Sequence, residues 1–170
     1  MKNRIKLVLL MLLLAAPMLV SGSMYALQLG IPEKQVARGA LLPDLQPLQQ
    51  WPLDWQASGE WWLVWIADAP CQATCQQLAD QWWRVHRALG READRVYRLR
   101  IEMAVNESRP LTEALPGERV VHWQGNAPDW AAPGQTWLVD PEGRVVLAYD
   151  ADAPAADLHR DLMRLLRVNR

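Results

Sequence analysis

The sequence predicts an α/β domain, a mixed sheet flanked by helices, preceded by a single transmembrane helix. Three observations carry that expectation. An uncharged apolar stretch follows a basic N-terminus, and strand-like and helix-like patterns alternate from about residue 60 onward. The only two cysteines, Cys71 and Cys75, stand between the first apolar run and the first amphipathic one. Strands that alternate with helices build β–α–β units and a sheet with parallel members.

The first element is the anchor. Lys2, Arg4 and Lys6 precede a stretch without charge from Leu7 to Pro32, whose heart is Leu, Met, Ala and Val. Basic residues before an apolar run keep that end cytoplasmic and send the remainder across. Residues 1–6 are therefore expected as a cytoplasmic tail and 7–29 as a transmembrane anchor, long enough for the roughly 20 apolar residues a span needs. Ser21-Gly22-Ser23 also suits a signal-peptide cleavage site, the competing reading. Met24 to Leu27 continue the apolar character past it, and Tyr25 suits the interface, which favours the anchor. Both readings place residues beyond 30 on the same side. Residues 30–55, with Pro32, Pro43, Pro47 and Pro52 and no clear period, read as a linker with an extended segment on the surface of a domain spanning 56–170.

Trp61 to Ala67 is continuously apolar and is closed by Asp68-Ala69-Pro70, as a strand buried on both faces should be. A helical pattern then runs to Leu89, with Cys75, Ala79, Trp82, His86 and Leu89 on one stripe and Gly90 as its stop. Val96, Tyr97, Leu99 and Ile101 interleave with Arg95, Arg98 and Arg100, a strand whose basic side is read as part of a solvated face with Arg84, Arg87 and Arg91. Pro110 to Leu115 is expected as a helical turn and Arg119 to Trp123 as a short strand. Thr136–Val139 and Val145–Tyr149 form a hairpin around Asp140-Pro141-Glu142-Gly143, with Pro and Gly where a turn wants them. Ala155 to Arg167 closes the chain as an amphipathic helix with Leu158, Leu162 and Leu165 inward.

Composition excludes several classes. With a formal net charge of -1 and 22% charged residues the chain lacks the basic excess of a nucleic-acid binder. Two cysteines cannot make a disulfide-rich scaffold, and no His lies close enough in sequence for a tetrahedral zinc site. Ten Trp and no Phe put core filling on the indoles.

The spacing Cys71-Gln72-Ala73-Thr74-Cys75 places both sulfurs at a helix start, where free N–H groups and the helix dipole favour a thiolate. Such a pair can work as a dithiol, bind a soft ion, or simply staple the structure. It can close a disulfide if Cys71 sits in the loop before the helix. Cys71, nearer the N-terminal end, is expected to react faster.

A cysteine pair directly after the first long strand, in a domain that ends in a hairpin and a helix, looks like the thioredoxin fold. Three intervening residues rather than two, after Ala69-Pro70 and Trp61–Ile66, resemble the Sco/SenC proteins. Trp137-Leu138-Val139-Asp140-Pro141-Glu142-Gly143 is similar to that family's late hairpin. The layout also resembles a divergent group of small thioredoxin-like membrane proteins associated with cytochrome c oxidase assembly. The resemblance implies a bacterial inner-membrane protein with its domain in the periplasm. It also implies Cys71 and Cys75 as copper(I) ligands or a redox pair, and a respiratory oxidase subunit or another copper/thiol assembly protein as partner. It implies a binding and redox-accessory role more than a high-turnover enzyme.

The resemblance is incomplete. The family's third copper ligand, a His, falls at Ala132, and the cis-proline of thioredoxin-like reductases falls at Gln135, with Pro133 off register. His86 lies eleven residues beyond Cys75, ~16 Å along a helix, out of reach of the same ion. His159 is expected at the surface. His122, in a strand, is the one reachable substitute ligand, although a lone His there is more often structural. Met103 is a soft donor whose ordinary role is core packing. The competing functions are a general periplasmic dithiol–disulfide oxidoreductase and a redox-inert docking scaffold.

Overall fold

The computed structural model describes residues 2–26, 37–42, 44–56, 59–68, 71–103 and 113–169. Residues 110–112 of the expected Pro110–Leu115 turn, linker residues 30–36 and the Ala69-Pro70 pair lie outside the described residues, and 113–115 are described without helix. Met1–Val36 and Ala37–Arg170 form separate compact units.

The first unit holds helix α1, Lys2–Ala26, with Pro17 inside it. Its segment Arg4–Met24 is long and apolar enough to cross a membrane by length and composition.

The second unit is a five-stranded mixed sheet in the order β3-β2-β1-β4-β5. Strand β1 (Trp61–Asp68) is central, parallel to β2 (Val96–Met103) and antiparallel to β4 (Thr136–Val139). Strand β3 (Glu118–His122) lies parallel to β2 on one edge, and β5 (Val145–Tyr149) antiparallel to β4 on the other. Helix α2 (Ala73–Ala88) makes the crossover from β1 to β2, and α3 (Ala155–Val168) follows the hairpin. Gly90 takes φ +59 just past α2, and Gly143 takes φ +83 in the β4–β5 turn, both as the sequence pattern asks.

The continuous apolar run of β1 is explained by a layer on each side. Trp61, Leu63, Trp65 and Ala67 face α2 and α3, where Ala79, Trp82, Leu158, Leu162 and Leu166 are buried. In α3 the inward position is Leu166, with Leu165 only partly buried, one residue from the expected stripe. Trp62, Val64 and Ile66 face the other way, into a layer that no α-helix among the described residues covers. There Leu48 and Trp51 join Trp123, Trp137, Leu99 and Ile101. Trp51 meets the rings of Trp130 and Trp137 at 4.9 and 5.2 Å. Of the described residues 37–56, expected as a linker lying on the domain surface, most are exposed, but Gly39, Leu48 and Trp51 are buried against the sheet domain. Ala40 bridges Ala148, and Leu53 bridges Trp123.

The basic side of β2 departs from expectation in the same manner. Arg98 and Arg100 are 0% and 2% exposed, because their face lies toward the helical layer rather than water. Only the earlier arginines of that run behave as a solvated face: Arg84 is exposed against Asp80, and Arg87 sits over the Trp83 ring.

Candidate functional site

The site begins where β1 ends. Cys71 stands in the loop before α2, Gln72 is the extended residue that opens the helix, and Cys75 lies in its first turn. The two are joined by a disulfide with their Cα atoms 5.2 Å apart, inside the range such a bond tolerates. The loop placement of Cys71 makes that closure possible. The first-turn N–H groups of α2 have no helical acceptor.

The two sulfurs differ in environment. Cys71 is buried, 5% exposed, whereas Cys75 is half-buried. A cleft of about 340 Å³ opens beside Cys75, lined by Trp65, Thr74, Leu78 and Pro133 among others. By residue burial Cys75 is the more open of the two, an asymmetry that helix position alone does not reveal. The far wall is the chain before β4: Gly134 donates to the Ile66 carbonyl at 2.8 Å, and Ile66 donates to the Gln135 carbonyl at 3.0 Å. Pro133, one residue outside this backbone pairing, is the proline that faces the cleft. Ala132 is exposed and brings no donor atom on its side chain.

Behind Cys71 lies a buried charge cluster. Arg100 Nη1 donates to Cys71 Sγ at 3.7 Å, and its Nη2 donates to the Glu113 carbonyl at 3.0 Å. Glu102 and Glu118 hold the same guanidinium at 3.6 and 3.7 Å. The ring of Trp65 lies 5.8 Å from its centre. Glu118 is fixed in turn by Trp65 Nε1 at 3.3 Å and by the Leu115 amide at 3.2 Å. Next along the strand, Arg98 donates to the Pro116 carbonyl. Burial draws the Arg98 guanidinium below the ordinary arginine range, and Glu118 opposes that pull. Sequence reasoning missed Arg100 because an arginine alternating with apolar residues reads as the wet side of a strand. The one available signal was Glu102 and Glu118, carboxylates at strand positions that could neutralise a buried face.

The histidines separate cleanly. His86 Nε2 carries its proton toward two carbonyls, Ala93 at 3.0 Å and Val96 at 2.8 Å, and ties the end of α2 to the start of β2. His159 Nε2 donates to the Ala88 carbonyl at 3.3 Å, between the two helices. His122 pairs in register with Glu102, two strands from β1. Adjacent strands are about 4.8 Å apart, so β2 stands between His122 and the strand that leads to Cys71. Met103 packs against the tryptophan-rich layer instead. Among the described residues no group of three or more His, Cys, Asp or Glu could hold a metal ion.

Comparison with known proteins supports this layout. A family model described as the transmembrane-like, thioredoxin-like C-terminal domain matches residues 61–169. No curated protein matches the chain. Among solved structures, copper-bound ScoI of Arabidopsis thaliana aligns at 12% identity with a TM-score of 0.52, covering 66% of this chain and 87% of that one. Yeast Sco1 aligns at 12% identity and a TM-score of 0.51, covering 65% and 86%. Apo Sco1 of Thermus thermophilus aligns at 16% identity and 0.51, covering 81% and 99%. At these identities the likeness is one of fold: a thioredoxin-like mixed sheet with flanking helices.

Proposed function

The chain belongs to the family of transmembrane-like, thioredoxin-like C-terminal domains, and from that premise we propose that it is a membrane-anchored thiol–disulfide accessory protein of cytochrome c oxidase assembly, working through Cys71 and Cys75. The observation that carries the reading is a cysteine pair at a strand-to-helix junction with a buried guanidinium on one sulfur and a cleft beside the other. A purely structural staple has no need of either. In this reading residues 7–29 cross the bacterial inner membrane and the domain faces the periplasm. The partner is an oxidase subunit, or another thiol or copper carrier of the same assembly route.

Copper(I) is a second reading, as cargo. Two thiolates are soft donors and suit copper(I) in a near-linear site. Arabidopsis ScoI holds copper on a similar fold. The described residues supply the two sulfurs and no third donor near them, so copper(II), which prefers nitrogen donors and higher coordination, is expected to bind poorly.

Both readings are open to direct test. In the cell that encodes it, replacing Cys71 or Cys75 with Ser should lower assembled oxidase activity at normal levels of the protein. Unchanged oxidase would overturn the assembly role. For copper, the reduced full chain in detergent should take up one equivalent of copper(I) against a chelating indicator, lose it in either Cys→Ser variant, and keep it in His86→Ala and His159→Ala. Retention in His122→Ala marks a two-sulfur site, and loss would make His122 the missing ligand. No copper(I) uptake at all ends the cargo reading and leaves the dithiol one standing.

A further inference from the structure

We propose that partner thiols attack Cys75 and that Cys71 is the leaving thiolate, received by the guanidinium of Arg100. The inference rests on reading Cys71 and Cys75 as a working dithiol, and it assigns a direction and a residue that reading leaves open. Its basis is the asymmetry of the site. Cys75 borders the cleft, while Cys71 is buried with Arg100 Nη1 3.7 Å from its sulfur. Cys75 lines the cleft and is the less buried residue, so the cleft offers an incoming thiol a route to it, while Cys71 is a buried residue that does not line that cleft. Arg100 is in turn held by Glu102, Glu118 and the Glu113 carbonyl, so it cannot swing away when the disulfide opens. A leaving thiolate departs faster when its charge is stabilised, and a fixed cation in a water-poor site does this without reorganisation.

The step balances as thiol–disulfide exchange. The partner's thiolate places an electron pair on Cys75 Sγ, the Cys71–Cys75 bond breaks, and its pair leaves on Cys71 Sγ beside Arg100. A second thiol of the same partner loses its proton to solvent and attacks the partner sulfur of the mixed disulfide. Cys75 leaves as a thiolate and takes up a proton. The partner dithiol ends as a disulfide and the chain ends reduced.

Two measurements on the full chain in detergent test this, with glutathione as the thiol probe. The oxidised protein is mixed briefly with glutathione, quenched in acid, alkylated with a maleimide and mapped by mass spectrometry. Glutathione on Cys75 with maleimide on Cys71 is expected; the reverse assignment overturns the proposal. This measurement needs no variant, so it holds even if a change at Arg100 impairs folding. In the second, alkylation of reduced Cys71 is followed against pH. Arg100→Gln should raise the midpoint by roughly 1 to 3 pH units, the usual effect of one close opposite charge, and Arg100→Lys should restore most of it. Glu102, Glu118, His122, Arg98 and Asp68 also lie around this end of the sheet, but they are common to both variants and cancel in the comparison. An unmoved midpoint in a folded Arg100→Gln chain overturns the role of Arg100. A disulfide that glutathione never opens overturns the thiol–disulfide reading itself, an outcome distinct from attack on the wrong sulfur.

Discussion

A single carboxylate oxygen ties three parts of the domain together. Asp161 Oδ2 accepts from the Arg38 amide at 2.6 Å, the Gly39 amide at 3.0 Å and the Tyr149 hydroxyl at 2.9 Å. Removing it leaves buried donors without an acceptor, each a cost of about 1 to 3 kcal/mol. Asp161→Ala should therefore lower unfolding free energy by about 3 kcal/mol or more in a urea titration. Burial first, and the bond to Asp161 second, raise the Tyr149 phenol well above its ordinary value. Its folded value exceeds its unfolded one, so this contribution is intact below the unfolded pKa of about 10. Above that pH the unfolded chain binds fewer protons than the native one, and stability falls as pH rises. Tyr149→Phe should flatten that alkaline loss; an equal slope in both chains would refute the assignment. None of this was legible in the sequence. Asp161 stands in an amphipathic helix with nothing in its local pattern to mark it, and its partners lie 123, 122 and 12 residues away. Arg100 was hidden for a similar reason, since Glu118 and Cys71 reach it only through the tertiary fold, with Glu102 alone close to it in sequence.

Among elements, β1, β4, β5, α2 and α3 were readable because each carries its own period or turn chemistry. The hairpin shows why. Gly143 donates to the Asp140 carbonyl at 2.8 Å, and Asp140 accepts from the Arg144 amide at 2.9 Å, all within five residues. Residues 37–55 had no such local signal, and their structure comes from docking. Leu48 donates to the Gly143 carbonyl at 2.8 Å, Gln49 Nε2 donates to the Glu142 carbonyl at 2.9 Å, and Trp51 fills the layer opposite the helices. This segment does there what a covering helix would otherwise do. Trp51→Ala should cost about 3 to 5 kcal/mol, as large core aromatics do. A chain starting at Ala37 should melt cooperatively, whereas one starting at residue 56 should lose its near-ultraviolet tryptophan signal or aggregate. Equal melting of the two chains would show that the segment is dispensable.

For the whole molecule, the question is whether α1 stays. A helix of 25 residues rises ~37 Å, ample for a ~30 Å hydrocarbon core. With Arg4 and Lys6 at its start, it should keep the protein with membranes through an alkaline wash. A mature chain recovered in solution and beginning near Met24 would show a cleaved signal instead. Either result is expected to leave the fold of the second unit unaltered, because the described core residues all lie from Ala37 onward.

By itself the sequence determined the class of this protein: an apolar N-terminal helix, a thioredoxin-like alternation of strands and helices, and a cysteine pair at the junction of the first strand and helix. Those features follow from short-range patterns of hydrophobicity, turn residues and spacing, and each can be read within a window of a few residues. Only the tertiary structure decided which cysteine lines a cleft, which arginine stands behind the other, and that a proline-rich approach segment lends Leu48 and Trp51 to the core. Burial and ion pairing are properties of residues distant in sequence. Alternation shows that two sides of β2 differ, but only the packed sheet decides that both are buried from Arg98 to Glu102.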